Sequence, residues 1–209
     1  MPRGYPFLRT LLVPLLLAVQ FACGSSVLPS VQEGDLIFQT SRSAQSQAIQ
    51  QATGSPYSHM GIVLMKDGQP CVFEAIATVR YTPLAQWIER GQGRHYVVKR
   101  LAQASMVLTP PRLARLRSEA KRFEGRPYDL TFEWSDQRIY CSELVWKLYK
   151  VSTDLEVGKL EHLRDFNLDT PTVKAKLRER YGADIPLNES VISPKAMFES
   201  ELLQTVLQR

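Results

Sequence analysis

The sequence predicts an α+β fold in which helices pack on an antiparallel sheet or a small barrel. Short apolar segments separated by turn signals recur over residues 34–101, a pattern typical of antiparallel strands. Stripes of apolar residues at helical spacing occur further along the chain, most clearly over residues 141–149. With 209 residues, of which 44% are apolar, the chain can bury a full core, and residues 27–209 are predicted to form one domain.

The elements of the first half follow from turns and breakers. Asp67 and Gly68 form the signal for a two-residue hairpin between two apolar runs. Strands are predicted over residues 34–38, 57–65, 71–76 and 96–101, with helices over 43–52 and 83–90.

The second half is predicted to be mainly helical. Pro110 and Pro111 introduce a helix over residues 112–123, and Gly125 closes it, which follows the usual preference for proline at helix starts and glycine at helix ends. Further helices are predicted to begin at residue 141 and to span residues 171–181 and 194–207.

The first 26 residues are predicted to be a secretory signal peptide. Arg3 and Arg9 precede a short apolar run over residues 11–19, which small residues follow. The run has about half of the roughly 20 residues that a membrane-spanning helix needs. Cys23 also resembles a bacterial lipoprotein cleavage site, so lipidation and an uncleaved anchor are alternatives. We expect an exported protein of the periplasm or cell envelope, with peripheral membrane association as an option.

Charge and cysteine content argue against several classes of protein. Lys and Arg number 26 against 21 Asp and Glu, and the resulting charge of +5 is spread without a basic block, which argues against a nucleic-acid binder. No CxxC or clustered His/Cys pair indicates zinc, so we expect no metal and no organic cofactor. In an oxidising compartment Cys71 and Cys141 could instead form one disulfide.

Cys141 is the candidate nucleophile. It opens a predicted helix whose apolar residues recur at positions 141, 144, 145 and 148. The unpaired N–H groups and the positive dipole end at a helix start stabilise a thiolate. A cysteine on an apolar stripe is also a common packing residue.

His59 and Glu74 are the candidate partners of Cys141. A cysteine nucleophile normally needs an imidazole as its base, and His59 begins a strand after a Gly/Pro loop. If Asp67 and Gly68 form the turn, His59 and Glu74 share a sheet face as diagonal neighbours. Gly61 then faces Glu74, which would leave a gap for another element. A structural histidine and an exposed edge-strand carboxylate are the alternatives.

Several motifs resemble one known family. They are Gly34-Asp35-Leu36-Ile37, Tyr57-Ser58-His59-Met60-Gly61-Ile62-Val63, Phe73-Glu74-Ala75, Gly125-Arg126-Pro127-Tyr128-Asp129 and Tyr140-Cys141-Ser142-Glu143-Leu144-Val145. Together with Tyr181-Gly182, Ile185-Pro186 and Ser193-Pro194, they resemble the YiiX/YebB-like group of the NlpC/P60 superfamily over residues 31–207. In this group of circularly permuted papain-like hydrolases, the histidine precedes the cysteine along the chain.

The resemblance implies a papain-like core and a cysteine hydrolase. Cys141 would be the nucleophile, His59 the general base and Glu74 the group that orients the imidazole. Tyr128 would line the substrate pocket, and Tyr140 is interpreted as a core aromatic.

The substrate is less tightly defined than the chemistry. Export favours amide bonds of cell-wall (peptidoglycan) peptides. A lipid amidase, thioesterase or acyltransferase of the same fold is the alternative, because permuted relatives include enzymes that act on acyl lipids. A non-catalytic envelope-binding module is a third hypothesis.

Overall fold

The computed structural model describes Met1 and residues 30–209, so the predicted signal peptide and Cys23 lie outside the described residues, apart from Met1. The strands are β1 (Leu36–Gln39), β2 (His59–Lys66), β3 (Gln69–Ala75), β4 (Val79–Pro83), β5 (Tyr96–Leu101), β6 (Glu161–His162), β7 (Ser190–Val191) and β8 (Leu203–Gln208). The α-helices are α1 (Ser46–Thr53), α2 (Leu84–Arg90), α3 (Ala104–Val107), α4 (Pro110–Phe123), α5 (Cys141–Thr153), α6 (Pro171–Tyr181) and α7 (Pro194–Phe198). Among residues 30–209, no helix is both long and apolar enough to cross a membrane.

An antiparallel sheet of six strands is the centre of the fold. Its order is β4-β3-β2-β1-β5-β8, with β4 and β8 at the edges, so the α+β prediction is confirmed in its open-sheet form rather than as a small barrel. The predicted hairpin register is also confirmed, because Lys66 pairs with Gln69 across the turn. Asp67 and Gly68 both have positive φ, 52° and 75°, as a tight two-residue hairpin turn requires.

The two faces of the sheet bury different layers. Alternate residues point to opposite faces of a strand. Met60, Ile62 and Leu64 of β2 therefore join the larger core, to which α5 contributes its apolar stripe. Val63 of β2 and Val72 of β3 join a smaller core beneath α2, on the opposite face. His59 lies an even number of residues from Val63 on β2, and Glu74 lies two residues from Val72 on β3. Both side chains therefore point to the α2 face of the sheet.

The C-terminal prediction was wrong. The predicted helix over residues 194–207 ends at Phe198, and Leu203–Gln208 forms edge strand β8 instead. Strand β8 pairs with β5 from Leu101 opposite Leu203 to Val97 opposite Gln208. The backbone groups of β5 would otherwise be an unpaired sheet edge, and satisfying them outweighs the helical spacing of the apolar residues. The sequence analysis also missed β4, in which Arg80 and Pro83 obscure the strand pattern.

Candidate active site

Cys141 is buried at the start of α5. Its side chain is 4% exposed, and Leu144, Val145 and Leu148 pack in the same core as β2. This packing holds the helix start, with its anion-stabilising N–H groups, against the beginning of β2. The neighbouring Tyr140 is a core residue whose hydroxyl accepts a hydrogen bond from the Ile192 N–H at 3.0 Å.

The structure brings His59 and Cys141 together at the end of the sheet. The Cys141 sulfur lies beside the His59 ring and the backbone N–H of Met60, close enough for both groups to shift its pKa. Since His59 is the first residue of β2, the imidazole on the α2 face can meet a thiol that arrives from the α5 face.

Glu74 holds the other side of the imidazole. His59 Nε2 and Glu74 Oε2 are 2.7 Å apart, which leaves Nδ1 for the thiol. Glu74 is fully buried and also accepts hydrogen bonds from Thr82 Oγ1 at 2.6 Å, Trp87 Nε1 at 2.9 Å and Arg90 Nη2 at 2.5 Å. Each carboxylate oxygen therefore receives two donors, and a charge that would be costly to bury alone is fully compensated.

The lack of a side chain at Gly61 leaves the space in which Glu74 lies beside the imidazole. A Cβ at position 61 would lie 2.4 Å from Val72 Cγ1 and 3.3 Å from Glu74 Cβ. The gap predicted from the sequence is thus filled by the adjacent strand β3, whose Phe73 carbonyl oxygen would lie 2.9 Å from the same Cβ, and not by another element. The wrong expectation arose because sequence spacing does not reveal how far Val72 leans across the hairpin.

The electrostatics favour a thiolate–imidazolium pair. Burial alone would lower the pKa of His59, but hydrogen bonds with Cys141 and Glu74 outweigh burial and raise that pKa to about 9. Burial alone would raise the pKa of Cys141, yet the hydrogen bond and charge of His59 bring it below its ordinary value. Burial also opposes ionisation of Glu74, but hydrogen bonds from His59, Arg90 and Thr82 hold its pKa at about 2.

The disulfide alternative is wrong, because Cys71 and Cys141 are both free thiols. Cys71 pairs with Leu64, five residues along β2 from His59. At about 3.3 Å per strand residue that separation is roughly 16 Å, whereas a disulfide requires Cα atoms within about 7 Å. Burial raises the pKa of the Cys71 thiol.

Tyr128, the predicted substrate-binding residue, lies close to the thiol. Its hydroxyl oxygen accepts a hydrogen bond from Gln45 Nε2 at 2.8 Å. Burial, and then the nearby Cys141 charge, raise the pKa of Tyr128, so the phenol keeps its proton. That proton is available to a substrate oxygen.

Two cavities meet at this site and differ in chemistry. The first, of about 720 Å³ including its open mouth, reaches Cys141 but not His59, and its walls are almost entirely apolar. Its lining includes Ala48, Ile49, Ala52, Leu163, Phe166 and Val173. The second is a cleft of about 1730 Å³ including its open mouth, which reaches His59 but not Cys141 and has a largely polar and charged rim. Four residues line both cavities and therefore mark the boundary between them: Gln45, Tyr128, Lys176 and Arg180.

Sequence reasoning missed the residues of α2 that donate hydrogen bonds to Glu74. Trp87 and Arg90 are three residues apart on α2 and therefore project from one side of that helix. The buried position of Glu74 in an apolar strand signalled that donors must exist. No spacing rule identified α2 as their source.

This fold, with a buried thiol at a helix start and an imidazole earlier in the chain, is that of a papain-like cysteine hydrolase in permuted order. Residues 30–207 match the family described as permuted papain-like amidase enzyme, YaeF/YiiX, C92 family, and the chain belongs to that family. It is therefore a cysteine-type hydrolase of amide bonds.

Two relatives illustrate the similarity. The chain is 50% identical over 175 residues to the uncharacterized protein YiiX of Escherichia coli strain K12, across 84% of this chain and 85% of that protein. The crystal structure of the metalloprotein YiiX from Escherichia coli O157:H7 aligns with a TM-score of 0.81 at 49% identity, and covers 85% of this chain and 97% of that one.

The description of that relative as a metalloprotein raises the question of a metal centre. Among residues 30–209, no group of three or more His, Cys, Asp or Glu side chains is placed to hold a metal ion. His59 interacts with both Cys141 and Glu74, and Glu74 already accepts four hydrogen bonds. These residues do not fit a metal site.

Proposed function

We propose that the chain hydrolyses amides with an apolar acyl group, using Cys141 as nucleophile, His59 as acid and base, and Glu74 to orient the imidazole. The supporting observation is that the apolar cavity begins at Cys141 while the polar cleft begins at His59. In acyl transfer through a thiol, the acyl group becomes attached to sulfur and the amine takes its proton from the imidazole. The acyl group therefore occupies the apolar cavity, and the amine occupies the cleft.

Each step uses a group already in place. The Cys141 thiolate attacks the carbonyl carbon, and the oxyanion is held by N–H groups at the start of α5 and by the Tyr128 hydroxyl. His59 protonates the amide nitrogen as the C–N bond breaks, which releases the amine and leaves a thioester. Water, deprotonated by the now neutral His59, attacks the thioester carbonyl carbon; the C–S bond breaks, the acyl group leaves as a carboxylic acid, and the Cys141 thiolate and the His59 imidazolium are restored.

A fatty-acyl group suits the cavity better than a peptidoglycan stem peptide. Polar and charged stem-peptide groups would lose hydration in a cavity whose walls offer few hydrogen-bond partners. An acyl chain gains about 25 cal/mol for each Å² of apolar surface that it buries. We therefore favour the acyl-lipid alternative over the cell-wall peptide that the sequence favoured, and the predicted signal peptide supports an envelope location for either substrate.

Mass-spectrometric assays of three substrate types test this proposal. N-lauroylglycine, N-acetylglycine and purified muropeptides are incubated with the protein and with Cys141→Ala. We expect hydrolysis of the lauroyl amide, at least about tenfold slower hydrolysis of the acetyl amide, and no hydrolysis by Cys141→Ala. Cleavage of muropeptides alone would refute the acyl assignment. A folded wild-type protein that cleaves none of the three while binding them would favour the binding-module hypothesis.

A narrowed cavity provides a matched test. Ala52 of α1 lines the apolar cavity, and Ala114 is an exposed alanine of α4. Ala52→Phe is expected to reduce kcat/KM for the lauroyl amide much more than for the acetyl amide. Ala114→Phe is expected to change neither value, and equal effects of the two substitutions would contradict the assignment of the cavity.

A further inference from the structure

The side chains that line the polar cleft indicate which chemical group the leaving amine carries. This step rests on the proposed function, in which the group that leaves lies on the His59 side. The cleft is bounded by the loop between β1 and α1, by the start of β2 and by α6. Whatever the amine carries beyond its nitrogen must therefore contact the side chains of this cleft.

The charges that line the cleft do not balance. Four cationic residues (Arg42, Arg90, Lys176 and Arg180) and two carboxylates (Glu89 and Glu179) line it. Glu89 is ion-paired with Arg94 outside the cleft, and Glu179 is ion-paired with Lys176 at 2.6 Å. Arg90 is committed to Glu74 at 2.5 Å. Within residues 30–209, neither Arg42 nor Arg180 has a carboxylate oxygen within 4.0 Å, so two positive charges face the cleft uncompensated.

The Arg180 side chain is held in position by its neighbours, whereas the exposed Arg42 is positioned only through the backbone of its loop. The loop that carries Arg42 is tied to the residue before His59, because the Ser41 N–H donates to Ser58 Oγ at 2.9 Å. Arg180 donates to Gln45 Oε1, and its guanidinium lies 4.8 Å from the centroid of the Phe132 ring. These contacts occupy one face of the Arg180 guanidinium and one of its N–H donors. Its other N–H groups can therefore bind a ligand.

A buried acceptor beside the imidazole is also without a partner. Gln39 pairs with His59 across β1 and β2, lines the cleft and is 2% exposed. Its Oε1 is buried and has no hydrogen-bond partner among the described residues. An orphaned buried acceptor is costly; this oxygen lies against Gly91, so the Gln39 side-chain amide has to turn over to present it to the cleft, where the N–H of a bound amide would satisfy it.

We propose that the polar cleft selects amides whose amine carries an anionic group, a carboxylate or a phosphate, which Arg42 and Arg180 bind while Gln39 accepts the amide N–H. The substrate is then an amphiphile, with an apolar acyl group on the Cys141 side and an anionic head on the His59 side. Arg42, Arg180 and Gln39 determine specificity, whereas the bond-breaking chemistry belongs to Cys141 and His59.

The test compares heads of different charge on one acyl chain. N-lauroylglycine carries a carboxylate, N-lauroylphosphoethanolamine carries a phosphate, and N-lauroylethanolamine is their neutral counterpart. We expect kcat/KM for at least one anionic amide to exceed that for the neutral amide by about tenfold or more. Arg42→Gln is expected to lower this ratio at least about fivefold, chiefly through KM. Arg115→Gln, which removes an equal charge from an exposed position on α4, is expected to leave the ratio unchanged.

The outcomes separate this inference from the proposed function. Cleavage of all three lauroyl amides at equal rates overturns the anionic head while leaving the acyl assignment standing. Cleavage of none of them, with activity on muropeptides, overturns the acyl assignment instead. An unchanged ratio in Arg42→Gln, or an equal fall in Arg115→Gln, also overturns the inference. The relative rates of the glycine and phosphoethanolamine amides then identify the carboxylate or the phosphate as the preferred head.

Discussion

Iodoacetamide at pH 6 is expected to alkylate Cys141 at least about thirtyfold faster than Cys71. Burial holds the pKa of Cys71 above its ordinary 9.0, so about one molecule in a thousand, or fewer, carries that thiolate at pH 6. The His59 hydrogen bond favours the thiolate of Cys141. Where Cys141 is fully ionised, the ionised fractions differ by about a thousandfold or more, and the weaker nucleophilicity of a less basic thiolate removes part of that factor. Exposure does not explain the difference, since Cys141 is 4% and Cys71 is 7% exposed.

The assay follows each thiol separately in one protein. Quenched time courses are digested, and the peptides containing residues 71 and 141 are quantified by mass spectrometry. His59→Gln should slow labelling of Cys141 and leave Cys71 unchanged, and unfolding in urea should make the two rates equal. Equal slow labelling in the native protein would refute the thiolate–imidazolium pair, as would a Cys141 rate that His59→Gln does not alter.

Three further predictions concern pH and packing. Activity should fall as pH rises through about 9, where His59 loses its proton, and a profile flat to pH 10 would contradict its role as the acid. The pKa of Glu74 is depressed from 4.5 to about 2, so its contribution of about 3 kcal/mol to the free energy of unfolding is present above pH 4.5 and lost as pH falls through 2. Urea unfolding should show that the free energy of unfolding falls with pH in this acid range, and Glu74→Gln should weaken that dependence. Because Glu74 helps to raise the pKa of His59, Glu74→Gln should also move the alkaline fall in activity to lower pH. Gly61→Ala should destabilise the fold by about 1–3 kcal/mol, because its Cβ would meet Val72 Cγ1 at 2.4 Å, and an unchanged Tm would show that Val72 moves aside without cost.

Local signals in the sequence were sufficient to predict the central hairpin and one half of the site. The turn at Asp67 and Gly68 fixes the pairing of β2 with β3, and that register places Glu74 diagonally from His59. The pairing needed no knowledge of the rest of the chain, because strand alternation and turn type are properties of adjacent residues.

The other half of the site depends on packing between distant segments. No local rule places Cys141 beside His59: the sequence singled out His59 because a cysteine nucleophile needs an imidazole, and the resemblance to a known family supported the same pair. Trp87 and Arg90 were likewise unpredictable as partners of Glu74, because the direction in which α2 crosses the sheet is set by the core beneath it. The edge strand β8 escaped prediction for a similar reason, since its structure depends on the open edge of β5.

The thiol and the imidazole belong to opposite layers of the molecule, and this has a consequence for heat inactivation. Cys141 is anchored in the larger core with α5, whereas His59 is supported from the smaller core by α2. Loosening of the smaller layer alone would separate the pair while most of the helical structure persists. Thermal loss of turnover should accordingly precede the circular-dichroism transition, and a mutation that strengthens the contacts of α2 should bring the two temperatures together.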